Sequence, residues 1–594
     1  MDDASGTGLT VRGFYDRQPF LCIEEDSTAC LEGMEEILAV LGRAIADAHT
    51  VVLEQYPGVL SQPLLESLRT VLPDVLFVNC EDAYQEPEHL RQQFAGTLGD
   101  DPVFGFLQAW DVAAYFDPKR LEGIRERIRT HHGVSVVFGT GASLAWEKPD
   151  LLVYLSGTRW VLQKQQRAHR IGNLGLDNAA DSPATLYKNA FFLEWRVGDA
   201  LRRELFERVD WFVDLDDPEV PRVLAGSVLR QAVKDAVLRP FRVVPFFDPG
   251  PWGGQWMKER FGLPEDAPNY AWAFDCVPEE NSVLLGFGDR RFSLPAQVLV
   301  EQEPEALLGA AVHREFGAEF PIRFDYLDTV GGGNLSLQVH PLRAYIREHF
   351  GMKYTQDESY YILDCEPGAH MYLGLREGVE ADKFAHALSE ANAGRERLDA
   401  EQWVNRIPTH RHDHFSIPAG TVHCSGRDNV VLEISATPYI FTFKLWDWGR
   451  MGLDGKPRPV HLKHGLENIQ WDRDTEWVNE NLRRPVAVVA EGEGWREEKT
   501  GLHELEFLET RRHWFTQPVM HDTCGTLNVL NLVEGDAAIV ESPDGRFAPM
   551  MVHYGETFIV PAAVGTYRIR PVNETETPLA TVKAYVRTDE FAKR

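Results

Sequence analysis

The pattern of apolar residues changes near residue 245, and this change limits what the chain can fold into. Before it, helix-like and strand-like segments alternate, whereas after it short strand-like segments broken by glycine and proline dominate. A turn-rich segment that ends in Trp252-Gly253-Gly254 separates the two patterns. With 594 residues the chain is also too long for one hydrophobic core, and about three to five domains are expected. The sequence therefore predicts a multidomain protein.

The first 240 residues alternate amphipathic helices with apolar strands. Leu31 to Ala48 and Leu64 to Val71 have helical periodicity. Strand-like segments lie among the helices: Val51-Val52-Leu53, Val75 to Val78, Val134 to Phe138, Leu151 to Leu155 and Trp211-Phe212-Val213. Strands that are apolar throughout are typical of a parallel sheet covered on both faces by helices. We therefore predict an α/β parallel-sheet domain over residues 1–240.

The position for a phosphate-binding loop in such a sheet is directly after the first strand. Here it holds Glu54 to Ser61, which lacks the Gly-Lys-Ser/Thr ending, so there is no lysine for phosphates and no hydroxyl placed for magnesium. Gly139-Thr140-Gly141 also follows a strand but does not complete the dinucleotide fingerprint, and we interpret it as a plain strand-to-helix turn. We expect no nucleotide hydrolysis from this domain.

This part resembles the uridine-kinase type of P-loop domain. The resemblance rests on the order of its elements, on the segment Phe116 to Leu121, and on the strand followed by a basic helix at Asp150 to Arg170. The resemblance implies that the fold is kept while the chemistry of the phosphate loop is lost. The basic helix from Arg159 to Arg170 either faces an anion or presents a solvated face, and we favour the solvated face.

Strand-like segments dominate beyond residue 245: Ser282 to Phe287, Ile322 to Leu327, Tyr360 to Leu363, Val430 to Ile434 and Ile440 to Leu445. A helical segment interrupts them between Ala381 and Val404. Many short strands separated by turns predict a barrel or sandwich. The same pattern repeats from about residue 482. We predict a β domain over residues 241–481, with a helical insertion near 376–408, and a second small β-barrel over residues 482–594.

Charge and cysteine usage limit the partners and the compartment. The net charge of -31 repels polyanions, so we expect neither nucleic acid nor an anionic membrane as a partner. Met1 to Gly6 has no basic segment before an apolar stretch, and no run of about 18 apolar residues occurs. The seven cysteines are scattered, without a Cys-x-x-Cys pair, which predicts reduced thiols. A cytoplasmic protein is expected.

Four residues of the β domain have side chains that bind metals: Gln338, His340, Glu358 and His423. Gln338 and His340 are two apart, so on a strand they point to the same face. Glu358 opens a strand-like segment, and His423 follows a tight turn that contains Gly420. A small β-barrel can bring the four together on one ion. This ligand set suits zinc and also accepts manganese, cobalt or iron, with a coordination position left for water or substrate, as in catalytic sites.

The order of motifs around these residues resembles type I phosphomannose isomerases over residues 245 to 590. The motifs are Trp252-Gly253-Gly254, Ser336 to Pro341, Glu358 before Tyr361-Ile362-Leu363, Ile417 to His423, Glu433-Ile434 and Trp446 to Arg450. The resemblance implies a cupin barrel that holds zinc through Gln338, His340, Glu358 and His423, and a second cupin barrel at the C-terminal end. It also implies that Arg450 is a second positive group beside an enediolate; the alternative is an ion pair of Arg450 with a carboxylate at the barrel rim.

Other residues depart from the family pattern. Asp325 stands where the family has the lysine of a Lys-x-Leu-Asp pattern, and the segment Tyr270 to Phe274 lacks the family's glutamates. The loss of a cation weakens the case for a phosphorylated substrate.

Three histidines alternate before Ile417: His410, His412 and His414. On a strand they would share one face. They could act as extra metal ligands, as a general base or as a surface cluster, and we favour the surface cluster.

The implied function is a metal-dependent aldose–ketose isomerase that interconverts mannose 6-phosphate and fructose 6-phosphate, or a closely related sugar or sugar phosphate, through an enediol. The alternative is a non-catalytic sugar-binding or regulatory cupin protein coupled to the kinase-like domain. A third alternative is that the N-terminal domain is still a kinase for the same substrate. The sequence gives no oligomeric state.

Overall fold

The computed structural model describes residues 14–25, 27–437, 440–451, 458–483, 486–501 and 503–588. Met1 to Gly6, the segment in which the sequence shows no basic stretch before an apolar one, lies outside the described residues. Within the described ranges, no helix has the length and apolar character that crossing a lipid bilayer requires.

The N-terminal part contains a large sheet and its helices. Its strands are β1 (Phe20–Cys22), β2 (Cys30–Glu32), β3 (Thr50–Gln55), β4 (Leu76–Asn79), β5 (Ser135–Gly139), β6 (Leu151–Ser156), β7 (Trp211–Asp214) and β8 (Arg222–Ala225). Its helices are α1 (Met34–Ala46), α2 (Gln62–Val71), α3 (Pro87–Leu98), α4 (Pro118–Thr130), α5 (Ala142–Ala145), α6 (Arg159–Arg167), α7 (Pro183–Asn189), α8 (Trp195–Leu205) and α9 (Gly226–Ala236).

Seven of these strands form one sheet in the order β2-β8-β7-β6-β3-β5-β4. The five strands from β7 to β4 pair in parallel, while β8 and β2 pair antiparallel at one edge. Every residue of β5 and β6 is buried, as expected for strands covered on both faces. Parallel pairing of these five strands is what the sequence pattern predicts. The relation of this sheet to P-loop domains remains a prediction.

The glycine turn after β5 is engaged within the protein. The buried carboxylate of Glu54 accepts hydrogen bonds from the amides of Gly141 (2.6 Å) and Ser143 (2.8 Å), and burial raises the pKa of Glu54 to about 7. Gly141 is in the left-handed region at φ 86°, which a glycine adopts without strain. The turn leads directly into α5, and its amides are bound by a side chain of the same domain.

The middle part is built on strands and short helices. Its strands are β9 (Phe246–Asp248), β10 (Trp272–Cys276), β11 (Ser282–Phe287), β12 (Arg290–Pro295), β13 (Ile322–Asp328), β14 (Leu337–Val339), β15 (Glu358–Cys365), β16 (His370–Leu375), β17 (Val404–Pro408), β18 (His414–Ile417), β19 (His423–Ser425), β20 (Asn429–Ala436) and β21 (Phe443–Trp446). Its helices are α10 (Trp256–Arg260), α11 (Gln297–Gln302), α12 (Pro304–Leu308), α13 (Ala310–Phe316), α14 (Arg343–Phe350), α15 (Ala381–Asn392), α16 (Leu462–Asn468) and α17 (Thr475–Asn481).

Two sheets of this part carry the site described below. One has six strands in the order β18-β15-β20-β13-β10-β9, and the other has five in the order β17-β16-β19-β14-β21. In the first sheet β15, β20 and β13 are antiparallel neighbours, so residues of three strands line up across one face. The range 376–408, predicted as a helical insertion, contains the helix α15 and, at its end, the strand β17.

The N-terminal and middle parts are tied together by a strand pair and by ion pairs. β1 pairs in parallel with β11, so the first described strand joins the small β1-β11-β12 sheet. Arg202 of α8 pairs with Glu301 of α11 at 2.9 Å. Arg159 of α6 is 5% exposed and pairs with Asp199. The prediction that this helix presents a solvated face is therefore wrong at Arg159, because Arg159 is buried against the carboxylate of Asp199 in α8.

The described residues of the C-terminal part contain ten strands with a core of their own. They are β22 (Ala487–Gly492), β23 (Trp495–Thr500), β24 (Leu508–Phe515), β25 (Val519–Asp522), β26 (Asn528–Glu534), β27 (Ala537–Glu541), β28 (Met550–His553), β29 (Thr557–Val560), β30 (Thr566–Pro571) and β31 (Leu579–Val586). They form a six-stranded and a four-stranded sheet around a separate apolar cluster that includes Leu530, Val540 and Phe558. The chain is therefore multidomain and rich in β-sheets.

Candidate metal centre

Two sheets bring four predicted ligand residues together. Gln338 on β14 and His423 on β19 are directly paired in the five-stranded sheet. Glu358 is the first residue of β15 in the six-stranded sheet, and His340 directly follows β14. Ligand atoms of His340, Glu358 and His423 lie within 4.8 Å of one another. The side chains of these three residues are at most 1% exposed, whereas Gln338 is half-buried.

The distances around Glu358 are short. Its Oε1 lies 2.5 Å from Nε2 of His423 and 3.1 Å from Nε2 of His340. The side-chain amide of Gln338 lies 3.3 Å from Nε2 of His423. The oxygen and nitrogen of an amide are assigned from hydrogen bonding, so Gln338 can turn its oxygen toward the cluster. The four side chains converge as a metal site requires.

Hydrogen bonds behind the imidazoles orient their lone pairs. Nδ1 of His423 donates to the carbonyl oxygen of Thr421 at 2.9 Å, and Nδ1 of His340 lies 3.5 Å from the carbonyl oxygen of Phe441. With Nδ1 bonded to the backbone, Nε2 is left to face Glu358, the usual arrangement of a metal-binding histidine. Burial raises the pKa of Glu358, but His340 and His423 outweigh burial and lower its pKa overall.

The residues fit a divalent metal ion. Nε2 of His340 and Oε1 of Glu358 are buried 3.1 Å apart, and within the described part of the chain neither atom makes a hydrogen bond of good geometry. Buried polar atoms are rarely left without a partner, and a cation between them would satisfy both. Imidazole nitrogen together with carboxylate and amide oxygen suits zinc or another divalent transition metal. This cluster is a candidate metal site on the strength of its own donor set.

A carboxyl pair lies beside the candidate metal site. Asp325 on β13 and Glu433 on β20 are directly opposite each other, and both are buried. Nη2 of Arg323 is 2.8 Å from Asp325, and Nη1 of Arg323 is 3.7 Å from Glu433. Burial raises the pKa of Asp325 to about 6, and burial together with Asp325 raises the pKa of Glu433. The pair therefore has a strong tendency to hold a proton near neutral pH.

Gln356 links this carboxyl pair to the metal ligands. Its amide nitrogen donates to Glu433 at 3.1 Å and to Glu358 at 3.3 Å. Sequence reasoning missed both Gln356 and Arg323, although each lies two residues before a singled-out acid. Arg323 and Asp325 share one face of β13, and Gln356 lies just before β15. The positive charge expected at position 325 is thus present two residues earlier, at Arg323.

Lys444 is a second cation that sequence reasoning missed. It lies on β21 directly opposite Gln338, so the two side chains point to the same face of the sheet. Burial lowers the pKa of Lys444 to about 8. Among the described residues, no hydrogen bond or ion pair engages its ammonium group. A single lysine within the apolar segment Phe443 to Trp446 was the available signal.

Arg450 forms the ion pair that was its alternative interpretation. Its Nε donates to Asp447 at 3.2 Å, and its Nη1 donates to the carbonyl oxygen of Asn334 at 2.6 Å. Asp447 also accepts a hydrogen bond from Ser336 at 2.7 Å, two residues before Gln338. No hydrogen bond or ion pair joins Arg450 to the four predicted ligands, all of which lie in the described part of the chain.

The three alternating histidines lie apart from the metal cluster. The expectation that they share a strand face is wrong, because the chain turns between His410 and His414, and His412 has φ 71°. His410 is exposed, at a side-chain accessibility of 79%. His412 bonds to Tyr361 at 2.8 Å, and the half-buried His414 has hydrogen bonds to Ser359 and Thr500. His412 and His414 therefore pack between the middle part and the C-terminal strands.

Comparisons with known proteins separate the two halves of the chain. Residues 33–238 match a family model described as a domain of unknown function, DUF8485. The chain is 28% identical over 232 residues to "Mannose-6-phosphate isomerase ManA" of Bacillus subtilis, covering 39% of this chain and 68% of that protein. It is 26% identical over 224 residues to "Mannose-6-phosphate isomerase" of Streptococcus mutans, covering 36% and 63%.

Solved structures of mannose-phosphate isomerases are also similar to this chain, and two of them serve as examples. The crystal structure of the mannose 6-phosphate isomerase from Bacillus subtilis covers 59% of this chain and 100% of its own, with a TM-score of 0.47 and 18% identity. A variant of phosphomannose isomerase from Salmonella typhimurium covers 58% and 99%, with a TM-score of 0.45 and 15% identity. The sequence similarity to mannose-6-phosphate isomerases, which spans about two fifths of the chain, supports an isomerase-like function.

Proposed function

We propose that the middle part of the chain is a metal-dependent aldose–ketose isomerase acting on mannose 6-phosphate and fructose 6-phosphate, or on a closely related sugar or sugar phosphate. One observation carries the proposal: His340, Glu358 and His423 converge, with Gln338 beside them, in a chain related to mannose-6-phosphate isomerases. The proposed ligands are these four residues, and the proposed metal is zinc or another divalent transition metal.

The proposed domain division follows the three parts of the fold. It assigns residues 1–240 to a kinase-like α/β domain without phosphate-loop function, residues 241–481 to a catalytic cupin domain with its insertion near 376–408, and residues 482–594 to a cupin-like β domain. The resemblance of the first domain to P-loop proteins is supported by the order of its five parallel strands, in which the earliest strand, β3, is central.

The chemistry requires a proton to move between the two carbons that exchange the carbonyl. When bound, the metal supplies positive charge that stabilises the developing enediolate oxygen. We assign the proton transfer to the Asp325 and Glu433 pair, because its raised pKa values suit a group that both takes and returns a proton near neutral pH. Arg323 keeps the pair in place through its 2.8 Å contact with Asp325.

The substrate's charge is matched by Lys444 rather than by Arg450. Lys444 faces the same side as Gln338 and has no other ion pair within the described residues, so it is available to a hydroxyl or phosphate oxygen of the substrate. Arg450 is engaged by Asp447, which also binds Ser336. We propose Arg450 as a positioning residue for the strand that carries Gln338, in place of a direct role beside the enediolate.

The test is turnover by the metal-loaded chain. Purified protein reconstituted with zinc is incubated with mannose 6-phosphate, and fructose 6-phosphate is followed in a coupled assay. Activity is expected to vanish in the Gln338→Ala, His340→Ala double variant, because two of four ligands are gone. An exposed variant such as His410→Ala is the control for handling and folding. Turnover that is absent in the unaltered protein, or equal in the double variant, would refute the proposal.

A non-catalytic sugar-binding protein is the second candidate, and the charge inside the barrel favours it. Asp325, Glu358 and Glu433 are three buried acids, whereas the cations beside them are Arg323 and Lys444. Arg323 is already engaged by Asp325 and Glu433, which leaves Lys444 as the cation for a phosphate dianion, so the barrel suits a neutral sugar better. Thermal-shift measurements with mannose, fructose and their 6-phosphates separate the candidates, because stabilisation by a sugar without any conversion supports binding alone.

A further inference from the structure

A second cavity lies outside the proposed active site. Its volume is about 460 Å³, and it is bounded by α13, the turn at Pro418 and Ala419 and the end of β31. Five cationic side chains line it: Arg314, Arg343, Lys353, Arg473 and Arg587. Only two acids share the lining, Glu315 and Asp357. In a chain with a net charge of -31, such a concentration of positive charge marks a place for an anion.

Arg473 is a buried cation without a carboxylate partner. It is 8% exposed, and its Nη1 donates to the carbonyl oxygens of Pro418 (2.8 Å) and Ala419 (2.7 Å) and to Oγ1 of Thr421 (2.5 Å). Its guanidinium also stacks on Trp477 at 5.0 Å. Within the described part of the chain, no ion pair neutralises it, and its Nε and Nη2 have no hydrogen-bond partner. Buried charges in proteins are normally paired.

Neither acid of the cavity forms an ion pair with Arg473. The carboxylate of Asp357 accepts a hydrogen bond from the amide of Ala419 at 2.8 Å. Glu315 is exposed at the rim. A ligand anion therefore meets an excess of positive charge at this wall.

Aromatic rings form the apolar side of the cavity. The ring centroids of Phe316 and Phe507 are 4.9 Å apart, those of Phe316 and Tyr354 are 5.1 Å apart, and those of Tyr354 and Phe507 are 5.9 Å apart. Phe507 comes from the C-terminal part, and Phe316 and Tyr354 come from the middle part. The cavity therefore combines an anion-binding wall with a surface for a carbon skeleton.

We infer that this cavity binds a small phosphomonoester, with its phosphate at Arg473 and its carbon part on the three rings. A guanidinium fork matches phosphate oxygens in a bidentate geometry, and a dianion suits a wall with several cations better than a carboxylate does. Arg343 and Lys353 lie at the rim, where they add charge without being buried. This inference does not depend on the proposed isomerase activity.

One turn lies between the cavity and the candidate metal cluster. Arg473 binds the turn that leads to His423, and Asp357, which binds the same turn, directly precedes Glu358. The amide of Gly420 donates to the carbonyl oxygen of His340 at 2.9 Å, so the turn contacts a second ligand residue.

The test is isothermal titration calorimetry on the full chain with inorganic phosphate and with phenyl phosphate, in sodium chloride at matched ionic strength. Phenyl phosphate is expected to bind more tightly than phosphate, because its ring reaches Phe316 and Phe507. Arg343→Gln and Lys353→Gln are each expected to weaken binding roughly tenfold, and Arg473→Gln to abolish it. Arg347→Gln, on the same helix as Arg343 but outside the cavity lining, is the matched control and is expected to bind as the unaltered chain does.

Two results would overturn the inference. One is binding that Arg343→Gln and Lys353→Gln leave unchanged, which keeps the test valid even if Arg473→Gln does not fold. The other is binding that Lys444→Gln abolishes while the cavity variants retain it, because the phosphate then sits in the barrel. Phosphomonoester binding that persists in the Gln338→Ala, His340→Ala variant supports the cavity whether or not the isomerase proposal stands.

Discussion

Replacing Arg323 by methionine removes the cation that faces two buried carboxyl groups. The Arg323 side chain is 6% exposed and lies 2.8 Å from Asp325 and 3.7 Å from Glu433, whose side chains are 0% and 5% exposed. Removal of one partner of a buried ion pair costs about 3–5 kcal/mol, because the remaining charge stays out of water. At about 2–4 °C per kcal/mol for a domain of roughly 200 residues, the unfolding transition of the middle part falls by about 10 °C at pH 7.

The pH dependence of this loss identifies its cause. A carboxyl group whose pKa is higher in the folded state than its unfolded value binds more protons when folded, so its contribution to stability falls as the pH rises. For Asp325 this window runs from 3.8 to about 6 in the unaltered chain, and without Arg323 it extends to higher pH. The loss measured by thermal unfolding is therefore larger at pH 7 than at pH 5.

Arg323→Lys is the matched control, because it keeps the charge and loses only the fork geometry. It is expected to retain most of the stability at pH 7. A loss for Arg323→Met that is equal at pH 5 and pH 7, or no loss at all, would show that Arg323 does not compensate the two acids.

Three further predictions test other parts of the account. Lys444→Gln is expected to lower kcat/KM for mannose 6-phosphate by roughly 10- to 100-fold, with little change in unfolding temperature, because one charge-assisted contact is lost; an unchanged kcat/KM contradicts the assignment. Burial lowers the pKa of His414 from 6.5 to about 3. Between these two pH values the unfolded chain binds a proton at His414 and the folded chain does not. The free energy of unfolding therefore falls by up to about 1.4 kcal/mol for each pH unit from 6.5 down toward 3. His414→Gln should flatten that part of the stability profile, and His410→Gln should not. Gly420→Ala places a Cβ on a residue with φ 88°, 2.9 Å from the Leu342 side chain. It is expected to lower the free energy of unfolding by about 1–3 kcal/mol and to weaken zinc binding. Gly394→Ala, at φ 70° in open space, is the control and should leave zinc binding unchanged.

The metal ligands were accessible to sequence reasoning because each signal is local. Gln338 lies on β14 and His340 directly follows that strand, two residues further on, and His423 follows a turn whose glycine, Gly420, has φ 88°. Some strands were accessible for the same reason, and the predicted segment Ser282 to Phe287 coincides with β11. Patterns within one strand need no knowledge of its neighbours.

Contacts that depend on strand register were not accessible. Asp325 and Glu433 are 108 positions apart, and only the pairing of β13 with β20 places them face to face. The same holds for Lys444, which reaches Gln338 through the pairing of β21 with β14. The alternation of His412 and His414 misled for the opposite reason, because a turn interrupts the strand that the alternation predicts.

The central claim is that Gln338, His340, Glu358 and His423 bind one divalent metal ion. The most direct measurement is anomalous X-ray scattering at the zinc edge from crystals of the zinc-loaded chain. The account predicts one strong peak about 2.0–2.2 Å from Nε2 of His340, Nε2 of His423 and a carboxylate oxygen of Glu358. A zinc-loaded crystal with no peak at that position, or with its strongest peak elsewhere in the chain, would contradict it.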